Sequence, residues 1–77
     1  MIAAYILIQT DVGRAAMVAA ALRDVPGVWE AASVAGSYDV IAQAQALDID
    51  ELGKLVTSQV QALDGVQRTM SCPVVHL

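Results

Sequence analysis

The chain has 77 residues, a net charge of −4 and four scattered basic residues, Arg14, Arg23, Lys54 and Arg68. That leaves room for one domain, residues 1–77, and argues against direct nucleic-acid binding, which needs clustered cations. The composition is 57% hydrophobic with a single cysteine, Cys72, so a core this small has no internal disulfide, and Cys72 with His76 falls short of a four-ligand zinc site.

Oligomerisation is the remaining way to stabilise so short and apolar a chain. A membrane is the competing destination for apolar surface. The longest apolar runs, Met1–Ile8 and Ala15–Leu22, fall far short of the ~18 residues that span a bilayer. Met1–Ile8 also lacks a basic leader segment, so neither a signal peptide nor membrane association is expected, and the chain reads as cytoplasmic.

Residues 2–9 are short, β-branched and followed by a polar break, which predicts a buried strand. Thr10 or Asp11 then offers an N-cap for a helix over Ala15–Leu22, and Pro26-Gly27 stops it. Val18, Leu22 and Val25 form its apolar stripe. Val28–Ala35 and Tyr38–Ala46 read as strands joined by a tight Gly36-Ser37 hairpin. Asp48 and Glu51 resemble a capping box that opens a second helix, with Leu52, Leu55, Val56 and Leu63 facing inward. Asp64-Gly65 ends it, and Val66–Val75 form a last strand in which Pro73 marks an edge or an end.

The order β-α-β-β-α-β predicts an α+β, ferredoxin-like domain: a four-stranded antiparallel sheet with both helices on one face. Its two halves echo each other at Val25-Pro26-Gly27-Val28 and Leu63-Asp64-Gly65-Val66. Strand parity separates Ile2, Ala4, Ile6 and Ile8 from Ala3, Tyr5 and Leu7. It also separates Trp29, Ala31 and Ala35 from Val28, Ala32 and Val34, and Val40, Ala42 and Ala44 from Ile41. Both faces are largely apolar, whereas a sheet wet on one side alternates. Two helices cover one face, and a second subunit's sheet is the simplest cover for the other.

Few residues suggest chemistry. In Gly36-Ser37-Tyr38-Asp39, Gly36 permits φ > 0 or close backbone approach, Asp39 offers an anion to an ammonium group, and free N–H groups suit a carboxylate. A plain turn capped by Asp39 explains the same residues. Thr69 and Ser71 share a strand face with Gln67, as either a wet pocket or ordinary edge-strand hydroxyls. Cys72 and His76 lie roughly 13 Å apart along an extended strand, too far for a nucleophile–base pair. Asp48, Asp50 and Glu51 crowd a helix start, where the macrodipole accounts for them. Trp29 and Tyr5 read as core or interface side chains. No cofactor or metal is expected, and the chain does not read as an enzyme.

The passage Gly-Val-Trp-Glu-Ala-Ala-Ser-Val-Ala-Gly-Ser-Tyr-Asp-Val (27–40) resembles the signature of the Lrp/AsnC regulators, with Gly-Val, a strand and a Gly-x-Tyr/Phe-Asp turn in order. Leu-Asp-Gly-Val-Gln-Arg-Thr-Met-Ser (63–71) resembles the same family's Gly-Val-x-x-Thr-x-Thr/Ser stretch. The likeness covers essentially the whole chain and is to the C-terminal effector half, the RAM domain. It implies dimers with sheets packed face to face (a dimeric α/β barrel), further association commonly into octamers, and free amino acids bound between dimers. Gly36, Tyr38 and Asp39 would supply the turn side of that pocket, and Thr69 and Ser71 a strand, from the same or a neighbouring subunit.

Family members usually carry an N-terminal helix-turn-helix domain, whereas this chain starts at the first RAM strand. Either it is a stand-alone module or a piece trimmed from a longer protein; the expectation is the former, a module that senses an amino acid in transcriptional or metabolic regulation, or that co-assembles with full-length Lrp/AsnC regulators. Two alternatives stand beside it. One is a ligand-free structural partner of such a regulator. The other is a small dimeric-barrel enzyme, for which Tyr38 and His76 are the only candidate groups.

Overall fold

A computed structural model describes residues 1–76; residue 77, the last of the expected domain, lies outside them. Strand β1 (Ile2–Thr10) is followed by helix α1 (Ala15–Arg23), strands β2 (Val28–Ser33) and β3 (Val40–Ala46), helix α2 (Ile49–Leu55), a π-helical turn (Val56–Val60) and strand β4 (Val66–Pro73). The sheet order is β2-β3-β1-β4 and every neighbouring pair is antiparallel. This is the expected ferredoxin-like arrangement, with β1 hydrogen-bonded on both sides and Pro73 at the end of an edge strand. No helix of the described residues is long and apolar enough to cross a membrane.

The helix-covered face carries the core. Ile6, Ile8 and Val40 are fully buried there, beneath Val18 and Leu22 of α1 and Val60 of the π turn. Each such aliphatic side chain contributes about 1.5–3 kcal/mol of burial free energy. Val18, Leu22 and Val25 are all buried, as the stripe predicts, as are Leu52 and Val56 of the second helix. The aromatic residues take no part: Tyr5 and Trp29 are exposed, so a core role for either is excluded.

Both helix starts depart from expectation. Asp48 caps α2, its Oδ1 accepting from the Glu51 N–H at 2.9 Å, while Glu51 turns to Lys54 instead of closing the box. For α1, neither Thr10 nor Asp11 is the cap. Residues 11–14 form a turn through Gly13 at φ +79°, closed by the Arg14 N–H donating to the Asp11 carbonyl, and α1 starts from Arg14 without a side-chain cap. The Asp11 carboxylate instead accepts from Gln67. The second helix widens where the Gln61 N–H reaches back five residues to the Val56 carbonyl. This keeps both Val56 and Val60 in the core.

Strand β2 holds the main correction. Val28 pairs with Ala44 but Glu30 pairs with Gln43, so one extra residue is inserted at Trp29. The bulge reverses the alternation. Val28 and Ala31 share the helix face, not Trp29 and Ala31, and Trp29 and Glu30 are both exposed. The hairpin is also not a two-residue turn. Strand β2 stops at Ser33 and β3 starts at Val40, leaving a loop over 34–39 closed by the Val34 N–H donating to the Asp39 carbonyl. Strand β4 ends at Pro73, short of Val75, so His76 lies beyond the strand and shares no strand face with Cys72.

Arg23, at the end of α1, donates from Nε and Nη2 to the Ala31 carbonyl on β2, an edge strand. Gly27, at φ +95°, lets the next turn pass within 3.1 Å of the Gln45 carbonyl, measured from where a Cβ would stand. Two outcomes follow for urea unfolding. Asp48→Ala lowers stability by about 1 kcal/mol through loss of the cap, and Gly27→Ala costs more than about 1 kcal/mol from strain and contact together.

Candidate functional site

The loop over 34–39 is built onto the end of β1. The Asp39 N–H donates to the Ile8 carbonyl at 2.9 Å, and Asp39 Oδ2 accepts from the Thr10 N–H at 2.8 Å. Gln9 Nε2 donates to the Ser37 carbonyl at 3.0 Å. The Tyr38 hydroxyl lies 3.7 Å from the Met70 sulfur. The sequence offered no hint of Gln9, Thr10 or Met70 as partners of this loop, because each pairing joins segments far apart in the chain.

Asp39 is thus a structural clamp through one carboxylate oxygen, while the other has no partner among the described residues. The N–H groups of Gly36, Ser37 and Tyr38 likewise donate to no backbone or side-chain acceptor among the described residues. Gly36 needs neither reason given for it from sequence: its φ is not positive, and an added Cβ would meet nothing within 4 Å. Nothing inside one copy of the chain requires glycine there.

Thr69 and Ser71 stand elsewhere. They pair with Ile8 and Ile6, whose side chains point to the helix face, while Met70 pairs with Leu7 on the open face. Directly opposed residues share a face. Thr69 Oγ1 accepts from Gln61 Nε2 at 3.0 Å, and Ser71 is exposed. The five candidate residues therefore split: Tyr38 reaches the open face, and Thr69 and Ser71 lie on the opposite side of the edge strand. One copy does not bring them into one pocket.

A groove lies at the other end of β3. It holds about 480 Å³ between Pro26, Gln45 and Leu47 on one side and Glu51, Lys54 and Ser58 on the other. Sequence reasoning did not single it out, since its lining comes from a turn, a strand end and a helix flank with no shared motif. The Glu51–Lys54 pair in its wall spans 3.2 Å and is exposed, so it contributes little. Among the described residues, no three His, Cys, Asp or Glu side chains gather as metal ligands.

The open face itself is apolar at its centre, with Ala3, Tyr5 and Leu7 of β1, Ile41 of β3, and Met70 and Cys72 of β4. Gln43 and Gln45 interrupt it on β3, which the parity count did not weigh. Tyr5 and Met70 remain about half exposed, at 46% and 49%.

Comparison with known proteins gives a consistent result. The sequence profile of the Lrp/AsnC ligand binding domain matches residues 3–76. The chain is 33% identical over 54 residues to the HTH-type transcriptional regulator PF0250 of Pyrococcus furiosus, covering 70% of this chain and 36% of that protein. It thus spans well under two thirds of that regulator's length. Among solved structures, TTHA0845 from Thermus thermophilus superposes with a TM-score of 0.92 at 34% identity, covering 100% of this chain and 96% of that one. The transcriptional regulator NMB0573 of Neisseria meningitidis, solved as an L-Met complex, gives 0.86 at 25% identity over 97% of this chain and 50% of that one.

The clamp can be measured directly. Asp39→Ala removes a charge-assisted bond to a part-buried N–H and should cost about 1.5 kcal/mol. Faster hydrogen exchange at the Thr10 amide should accompany it, while Asp39→Asn, which keeps an acceptor, should stay near the parent.

Proposed function

This chain belongs to the Lrp/AsnC ligand-binding domain family, and on that premise we propose that it is a regulatory module that binds a free amino acid between subunits of an oligomer. The observation that carries the reading is the division of the candidate residues. Tyr38 and the pair Thr69 and Ser71 lie on opposite sides of β4, so a pocket using all of them needs more than one copy. Face-to-face dimers that associate further, up to octamers, would supply it.

The loop chemistry suits a zwitterion. The unengaged N–H groups of 36–38 match a carboxylate, and the free oxygen of Asp39 matches an ammonium group. Glycine at 36, unneeded by the chain's own packing, would leave room for the ligand. The L-Met complex of a relative supports the ligand class, and the regulator relative supports a regulatory over an enzymatic role.

Calorimetry against the twenty amino acids tests this. At least one should give a saturable heat that Gly36→Leu abolishes, with unfolding free energy unchanged within about 0.5 kcal/mol. Silence from all twenty would remove the ligand from the reading. One observation favours that second reading, a ligand-free partner of a full-length regulator: Asp39 already has a structural task in the Thr10 bond. Co-purification with a helix-turn-helix relative, together with silent calorimetry, would select it.

A further inference from the structure

Three consecutive residues at the end of β1 hold the loop over 34–39, each through a different group. Ile8 offers its carbonyl to the Asp39 N–H, Thr10 offers its N–H to the Asp39 carboxylate, and Gln9 uses its side chain. The first two bonds fix residue 39. The third reaches further into the loop: Gln9 Nε2 donates to the Ser37 carbonyl at 3.0 Å, across 28 residues of sequence.

We infer that Gln9 is a positioning residue for ligand binding: by holding the Ser37 carbonyl it aims the Tyr38 N–H the opposite way, where a ligand's carboxylate can accept from it. The inference rests on the reading that the loop's N–H groups receive the carboxylate of an amino acid. It deepens that reading by naming the side chain that orients one of them.

Peptide geometry connects the two groups. The Ser37 carbonyl and the Tyr38 N–H belong to one planar peptide unit, and no cis bond occurs among the described residues. In a trans unit the C=O and N–H point in opposite directions. A donor that fixes the oxygen therefore fixes where the hydrogen points. The Gln9 bond is the only hydrogen bond to this unit among the described residues. The next unit carries the Tyr38 carbonyl and the Asp39 N–H, and it is anchored through its hydrogen, to the Ile8 carbonyl at 2.9 Å. Tyr38 thus stands between two units pinned to β1 with opposite polarity. The Asp39 N–H turns toward β1 and is consumed there, while the Tyr38 N–H turns away from Gln9 and stays free.

The residue type at position 9 fits the task. Gln9 is half-buried, opposite Arg68, at the last pairing with β4 before the register shifts. The side chain there must donate, because Ser37 presents an acceptor, and must be long enough to cross from strand to loop. Glutamine does both without adding a charge beside Asp39. Asparagine is one methylene shorter, and methionine matches the length but has no donor. The bond is exposed, so it adds little to stability and acts through direction.

Calorimetric titration of the full chain with each of the twenty standard L-amino acids, and with the carboxamide of each one that binds, tests the inference. The carboxamide keeps the ammonium group and the side chain but loses the anionic acceptor. The parent should prefer the carboxylate by about tenfold or more, as a charge-assisted bond requires. Gln9→Met should weaken the amino acid by about tenfold and the carboxamide by no more than about threefold, so that the preference collapses. Gln9→Asn should follow it and takes its place if Gln9→Met fails to fold. Both variants should melt within about 3 °C of the parent and sediment at the parent's assembly size. Parent-like affinity in a folded variant, or equal losses for amino acid and carboxamide, would overturn the role of Gln9 while leaving the loop as the amino-acid site. A parent that binds none of the twenty, or that binds acid and carboxamide alike, would overturn the reading of the loop and the role of Gln9 with it.

Discussion

Strand β1 is the constraint on which the structure depends. It is hydrogen-bonded on both sides and apolar on both faces, so no water-exposed arrangement satisfies it. Its even-numbered residues, Ile2 through Ile8, lie on the face that the helices cover. Its odd-numbered residues, Ala3, Tyr5 and Leu7, are left with cover that one copy cannot provide. With no disulfide and no aromatic side chain in the core, stability rests on close packing of small aliphatic residues.

The same strand organises the loop. Backbone groups of Ile8 and Thr10 and the side chain of Gln9 hold the segment 34–39 in place. The loop has no helix or strand of its own, yet three hydrogen bonds fix it to the most central element of the fold. Its unengaged N–H groups are therefore presented on a rigid mount, which suits recognition of a small charged ligand. The groove beside α2 has no such mount.

Much of the architecture was legible in the sequence, because period and punctuation carry it. Element order, the Asp48 cap and the apolar stripe of α1 follow from local residue chemistry. What escaped depends on contacts between distant segments. The bulge at Trp29 arises from how β2 meets β3, and no composition rule within Val28–Ser33 marks it. The α1 start misled because Thr10 and Asp11 look like caps, while the Thr10 hydroxyl donates to the Asp11 carbonyl and the Asp11 carboxylate accepts from Gln67 of β4. For the site, the residues of the Gly-x-Tyr-Asp turn could be named from resemblance. The division of Tyr38 from Thr69 and Ser71 could be read only from register.

The Arg23 guanidinium on the Ala31 carbonyl has a consequence for how the protein can multiply. A sheet edge with open carbonyls invites the next molecule to add a strand, and such growth has no natural stopping point. Here one edge is occupied by a bidentate cation and the other ends in a proline that cannot donate. Both edges are thus poor templates for the lateral addition of a strand. In a chain this apolar, such blunted margins disfavour growth into a fibre.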